Sequence, residues 1–197
     1  MSSLVRAARP ADADAIGRIH SESWRLTYAG LVSPHYLATL DEEPLAERWR
    51  QRLVAPSGAA GSALVAEQDG AVIGFALFGP TSASDLEEGF AGEIQMLYVL
   101  PAGQRRGHGC ALFEHAAADL AARRLFWLVV WVVEDNHAAR AFYRRMGLEP
   151  DGRRRVAVLG GQPVQVVRYA GPLNPVVVEL TRGRPGRPPR WSPSRRR

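Results

Sequence analysis

Six consecutive residues, Gln104-Arg105-Arg106-Gly107-His108-Gly109, stand between a run of β-formers that stops at Pro101 and an alanine-rich helical pattern that starts at about His108. The first turn of such a helix offers amide N–H groups with no carbonyl behind them, together with the positive end of the peptide dipole, so an anion docks there. Gly107 and Gly109 carry no Cβ, which lets a bulky diphosphate approach the main chain and lets the loop take positive φ without strain. Arg105 and Arg106 set two positive charges beside those amides. The chemistry on offer is diphosphate binding, although a lone G-x-G at a helix start is also ordinary turn chemistry.

The spacing excludes two common phosphate sites. A Walker loop needs a Gly-Lys-Ser/Thr ending, and the chain contains no lysine. The dinucleotide fingerprint needs three glycines spaced G-x-G-x-x-G and an acidic residue about 20 positions on. A second group of residues lies further along, in Glu134-Asp135-Asn136-His137-Ala138-Ala139-Arg140-Ala141-Phe142-Tyr143-Arg144-Arg145-Met146-Gly147-Leu148. Asn136 and Tyr143 are seven residues apart, close to two helical turns, so both can reach one extended ligand. Tyr143 also reads as an aromatic packed on a sheet, with Phe142 the better core candidate of the two, and Asn136 reads as a helix N-cap.

The loop is similar to the Gln/Arg-x-x-Gly-x-Gly/Ala signature of the GNAT superfamily of acetyl-CoA-dependent N-acyltransferases. The second group resembles that family's asparagine, tyrosine and Gly-Phe or Gly-Leu signature, in the family's order. The resemblance implies that acetyl-CoA is a co-substrate, its pyrophosphate held by loop contacts from Gln104, Arg105, Arg106, Gly107, His108, Gly109 and Cys110. In that reading His108 and Cys110 act through their backbone, and their side chains have no role. The main chain of Leu97, Tyr98 and Val99 and the side chain of Asn136 would hold the pantetheine arm. Tyr143 would point at the thioester sulfur. A phenol with a reference pKa of about 10 is protonated at neutral pH and of comparable basicity to a departing thiolate, so it can donate a proton as the tetrahedral intermediate collapses.

An alkylamine with a pKa of about 10.4 is mostly protonated at neutral pH, so the attacking nitrogen must shed a proton. Glu93 occupies a place where many relatives put a carboxylate for that purpose; it also reads as a solvated acid at the opening of a strand. His20, His35 and Glu134 are weaker candidates. Some relatives that acetylate protein N-termini carry a glutamate five residues before the asparagine, where this chain has Trp131. Trp24, Tyr28 and Tyr36 fall where the family builds its acceptor pocket, and aromatic walls suit an apolar or cationic acceptor. Cys110 falls in the pyrophosphate loop, so no acyl-enzyme is expected.

The elements that must position these residues read clearly enough to order. Leu4 to Ala8 is a strand, and helical spacing follows through Ile16, Ile19, His20, Ser23, Trp24, Thr27 and Tyr28, then from Pro44 to Leu53. Ala55 to Ser62 reads as a flexible connection. Ala63 to Glu67 and Val72 to Phe78 form a hairpin about Asp69-Gly70. Pro80 to Gly92 is irregular, and Ile94 to Leu100 is the organising strand. A helix runs from His108 to about Arg123, Leu125 to Val133 is a central strand, and a hairpin closes about Gly160-Gly161. The expected class is α/β (α+β): a mixed, mostly antiparallel sheet of six to seven strands flanked by about four helices, spanning residues 4–172.

Composition sets the remaining bounds. With 197 residues and 46% apolar content the chain supports one domain with a real core. No apolar run reaches 18 residues and the N-terminus lacks a signal core, so no membrane association and a cytoplasmic setting are expected. One cysteine gives no disulfide and no cysteine zinc cluster, and no metal is called for. Residues 1–174 hold 18 Arg against 19 Asp plus Glu, while residues 175–197 hold 7 Arg against Glu179 alone, so the net charge of +5 belongs to the end of the chain. Residues 173–197 read as a disordered Arg/Pro-rich tail.

The resulting expectation is an enzyme that passes acetyl from acetyl-CoA to a primary amine of a small molecule or peptide by direct attack in a ternary complex. A coenzyme A-binding sensor without turnover is the alternative, and nucleic-acid binding through the tail a lesser one. The family resemblance also makes a homodimer possible.

Overall fold

The computed structural model describes residues 4–54, 61–81, 83, 85–86 and 89–173. Most of the flexible connection expected before Ser62, part of the irregular segment before Gly92, and the tail from residue 174 lie outside these residues. Leu173, the first residue of that expected tail, packs in the larger core.

Among the described residues seven strands form one sheet in the order β1-β2-β3-β4-β5-β7-β6. They are β1 (Leu4–Ala7), β2 (Ser62–Gln68), β3 (Ala71–Pro80), β4 (Ala91–Val99), β5 (Trp127–Val133), β6 (Glu149–Leu159) and β7 (Gln162–Pro172). Every pairing is antiparallel except β4 with β5, as the sequence predicts for a mixed, mostly antiparallel sheet. Among the described residues five α-helices flank it: α1 (Ala13–Thr27), α2 (Pro34–Ala38), α3 (Glu42–Val54), α4 (His108–Ala122) and α5 (His137–Arg145). The short α2 is the helix beyond the expected four.

Periodicity assigns the faces. Phe113, Ala116, Ala117 and Leu120 make a buried stripe on α4, and with Tyr143 of α5 and Met146 at its C-cap they close one face of the sheet over Leu128, Val130, Val132, Val167 and Tyr169. Ile16 and Ile19 of α1 and Trp49 of α3 close the other face over Val65, Phe75 and Leu77. Burying each such side chain contributes about 1.5–3 kcal/mol.

The organising strand is longer than its apolar run. Pairing begins at Ala91, so Glu93 is the third residue of β4 rather than its opening. Gly92 hides this start, since glycine disfavours strands. It is required because a Cβ there would lie 2.8 Å from Leu120 of α4. The closing hairpin is longer too: β6 begins at Glu149, and its register shifts between Pro150 and Arg154, masking it as a polar run.

The feature that creates a site is a gap. β4 pairs with β5 only from Ala91 to Glu93, opposite Trp127 to Val129, and beyond that the two parallel strands have no pairing. The edge of β4 from Ile94 to Val99 that faces β5 therefore has no strand partner, and an extended ligand can lie along it.

Candidate functional site

At the mouth of the gap, α4 starts at His108 behind a loop in which Arg105 has φ 58° and Gly107 φ 92°. The Ala111 amide donates to the Gly107 carbonyl, but the amides of Arg105, Arg106, Gly107, Gly109 and Cys110 donate to no acceptor among the described residues. Five N–H groups thus stand at a helix start without an acceptor among the described residues. No atom lies within 4 Å of a Cβ built on Gly107, so glycine is needed there for its left-handed conformation and not for room. The Gln104 side chain turns back, its Nε2 donating to the Val99 carbonyl at 3.0 Å, and fixes the loop against β4.

His108, expected to act through its backbone alone, has a structural side chain as well. It is buried, and its Nε2 lies 3.1 Å from Gln68 Oε1, tying the helix start to β2. Cys110 is half-buried against the larger core.

Across the gap, Asn136 caps α5, its Oδ1 accepting from the Ala139 amide at 3.0 Å. Its Nδ2 remains to donate outward. Asn136, Gln104, Pro101, Leu26, Thr27 and Leu31 line a cleft of about 520 Å³ that runs between the end of α1 and the start of α5.

Tyr143 and Phe142 exchange the ranks expected from sequence. Tyr143 is the buried residue of the pair, at 9% exposure, while half-buried Phe142 packs beside Gly109 and under the Arg145 guanidinium. The inward stripe of α5 runs through half-buried Ala139 and buried Tyr143 to Met146 at the C-cap, at four- and three-residue steps, which puts Phe142 on its flank. Burial holds the Tyr143 phenol well above its ordinary pKa, so it is protonated throughout the neutral range. Its hydroxyl has no hydrogen bond among the described residues, and the Tyr28 phenol adds to the burial that raises it.

Tyr98 was expected to contribute backbone only, but its side chain joins this group. Its hydroxyl is 3.4 Å from that of Tyr28, its ring stacks on His20, and burial raises its pKa strongly. Trp24 meets Tyr28 edge-on at 4.7 Å, and Tyr36 lies 6.4 Å from Trp24 and packs against the β6–β7 turn at Gly160. The three residues expected to bind acceptor therefore adjoin one another beside Tyr98. No residue pattern marks Tyr98 for this role, because its neighbours are contributed by α1, some 70 residues away.

Glu93 faces the α1 side, since the flanking Gly92 and Ile94 face α4 and the larger core. It lies where pairing with β5 stops, and its Oε2 accepts from the Thr81 hydroxyl at 2.9 Å. Trp131 lines the same side one step further along β5, its ring flanked by the guanidinium groups of Arg155 at 4.2 Å and Arg168 at 5.6 Å. Arg168 is buried and pairs with Asp85 and Asp151, which pins the β3–β4 connection to the β6 bulge.

His20, a weaker base candidate, is packed rather than poised. Trp49 Nε1 donates to its Nδ1 at 3.4 Å, and burial, helped by Arg48, lowers its pKa to about 4. A folded-state pKa below the unfolded value of about 6.5 means the unfolded chain binds the proton first, so this contribution to stability is complete above pH 6.5 and lost as pH falls towards 4. The expected loss is about 3 kcal/mol across that window. Denaturant melts at pH 7 and pH 4.5 should show it, and His20→Gln should flatten the dependence.

Among the described residues no three His, Cys, Asp or Glu side chains form a metal-holding group, and no helix is long and apolar enough to cross a membrane.

A splayed mixed sheet, with amides that lack an acceptor among the described residues at a helix start and a buried phenol on α5, is the arrangement of a coenzyme A-dependent acyltransferase. The acetyltransferase (GNAT) family pattern matches residues 18–148, and the chain belongs to that family. The uncharacterized N-acetyltransferase YuaI of Bacillus subtilis is 33% identical over 132 residues, covering 67% of this chain and 72% of its own. The probable N-acetyltransferase Rv2775 of Mycobacterium tuberculosis is 31% identical over 156 residues, covering 76% and 81%. Among solved structures, a phosphinothricin acetyltransferase from Sinorhizobium meliloti in complex with AcCoA shares the fold, with a TM-score of 0.67 at 23% identity over 94% of both chains.

Proposed function

We propose that the protein transfers acetyl from acetyl-CoA to a primary amine of a small molecule or peptide by direct attack in a ternary complex. The observation that carries this reading is the set of five amides between Arg105 and Cys110 with no acceptor among the described residues, at the mouth of the β4–β5 gap. Those amides, with Arg105 and Arg106, hold the diphosphate; the free edge of β4 at Leu97, Tyr98 and Val99 and Nδ2 of Asn136 hold the pantetheine amides. The fit is chemical: hydrogen-bond donors and positive charge face an anion.

Tyr143 donates a proton to the departing thiolate. Burial raises the phenol above its usual value and raises the basicity of a thiolate in the same site, so the transfer stays close to balanced. Glu93 accepts the proton of the attacking amine, directly or through water. Trp24, Tyr28 and Tyr36 line the acceptor side. Cys110 packs against the core beside the diphosphate amides, which supports direct attack over a covalent acyl-enzyme.

Thiol release from acetyl-CoA across a panel of amines tests the reading. Wild type is expected to release thiol with at least one amine class. Glu93→Gln should lower the rate near neutral pH by about a hundredfold or more, with the deficit shrinking as pH approaches the pKa of the amine. An unaltered pH–rate profile in Glu93→Gln dismisses Glu93 as the base, and no thiol release with any amine overturns the transferase reading.

A further inference from the structure

Glu93 is held by a hydroxyl in a chain that holds many of its acids with arginine. Buried Asp12 and half-buried Glu67, Asp119 and Glu134 each pair with a guanidinium. Glu93, also half-buried, has no arginine among the described residues: the Thr81 hydroxyl donates to its Oε2 at 2.9 Å, and no hydrogen bond or ion pair reaches its Oε1. The hydroxyl is itself fixed. Thr81 follows β3 directly, its amide donates to the Ala91 carbonyl at 3.0 Å, and its Oγ1 accepts from the Ala83 amide at 3.2 Å. A hydroxyl has a single proton, and with the Ala83 N–H taken up on the oxygen, that proton is committed to Glu93.

Directly across β3 from Glu93 stands Gly79, which offers no side chain, and a Cβ there would come within 3.0 Å of the Gly61 Cα. Glu93 is therefore met on the diagonal, by the residue two positions further along. The main chain of Glu93 is held on both sides, by Gly79 of β3 and by Val129 of β5, and pairing with β5 ends there. The side chain is the movable part. A free glutamate spreads over several rotamers, and fixing it costs entropy. A guanidinium would fix it, but a carboxylate paired with a cation takes up a proton less readily. A neutral hydroxyl fixes one oxygen and leaves the other without a counter-charge.

We propose that Thr81 is a positioning residue: its hydroxyl, set by the Ala83 amide, aims the Glu93 carboxylate and leaves Oε1 to take the proton of the attacking amine. This rests on the reading of Glu93 as the base and adds the residue that sets that base. Thr81 touches neither coenzyme nor acceptor in this role and acts through Glu93 alone.

Steady-state thiol release from acetyl-CoA tests the proposal, with phenethylamine, spermidine and alaninamide in the amine panel and the fastest amine carried forward. The variants are Thr81→Val, Thr81→Ser, Glu93→Gln and the double variant of Thr81→Val with Glu93→Gln. Thr81→Val, close in shape but without the hydroxyl, should lower kcat about 5- to 50-fold and leave both KM values within about threefold. Thr81→Ser keeps the hydroxyl and should hold kcat within about threefold of wild type. Once Glu93→Gln has removed the base, adding Thr81→Val should cost less than about twofold, because nothing is left to aim. Wild-type kcat in Thr81→Val beside a slow Glu93→Gln overturns the proposal and leaves Glu93 as the base. So does a Thr81→Ser as slow as Thr81→Val, a change confined to KM, or a loss that persists in full in the double variant. Wild-type kcat in Glu93→Gln overturns the base reading and this proposal with it, and no release with any amine overturns both together with the transferase reading.

Discussion

Tyr143→Phe is expected to lower kcat by a factor of about 10²–10⁴, the usual span for loss of a positioned proton donor, while the Kd for acetyl-CoA changes less than about threefold. The two effects separate because the ring and the hydroxyl do different things. The ring packs against Phe113 and Phe142 and belongs to the larger core, and phenylalanine preserves that packing. The hydroxyl makes no hydrogen bond among the described residues, so its removal strands no partner, and stability should stay within about 0.5 kcal/mol of wild type. Because burial raises the phenol, the wild-type rate should show no alkaline fall from this group until above its ordinary value of about 10. Steady-state kinetics beside a titration of acetyl-CoA read both quantities. Turnover of Tyr143→Phe at the wild-type rate would remove Tyr143 from the chemistry and leave it a core aromatic.

Gly107→Ala is the second large effect, and it acts on binding. At φ 92° an L-residue is strained by about 1–2 kcal/mol, yet nothing lies near enough for the methyl group to strike. The free loop can relax to another conformation at little cost to the fold. The cradle must then be rebuilt on binding, so the coenzyme should bind about 5- to 30-fold more weakly. Acetyl-pantetheine, which has no diphosphate, gives the control: its kcat/KM should be the same in Gly107→Ala and wild type. Equal weakening of both thioesters would mean that the substitution disturbs the site generally and not the anion cradle.

Much of this arrangement was legible because it is local in sequence. The 3.6-residue spacing in α1 and α4, the two-residue turn Asp69-Gly70 and the strand–loop–helix from β4 to α4 are fixed by neighbours a few residues apart. The boundaries at which the structure departs from the sequence pattern have tertiary causes. β4 begins three residues earlier than its β-formers because Leu120 of α4 requires glycine at position 92, and β6 is concealed by the bulge between Pro150 and Arg154. The order of Phe142 and Tyr143 could not be read from one helix, since both are aromatic and the stripe that buries Tyr143 is defined by α4 and by the sheet.

The same reasoning separates the legible part of the site from the rest. The diphosphate loop and the Asn136–Tyr143 interval are single stretches of chain. Tyr98 beside Tyr28, His108 on Gln68, and Arg168 between Asp85 and Asp151 are pairs 17 to 83 residues apart, for which one sequence carries no signal. These long-range contacts shape the acceptor side and brace the loop, so the donor end of the reaction is more readable than the acceptor end.

The main-chain cradle between Arg105 and Cys110 can be observed directly by titrating coenzyme A into uniformly 15N-labelled protein and following the backbone amides. The amide signals of Arg105, Arg106, Gly107, Gly109 and Cys110 should shift together and saturate with the same Kd as thiol-independent binding measured by calorimetry. If coenzyme A binds while those five signals stay where they are, the diphosphate is held elsewhere and the site described here is not the one the protein uses.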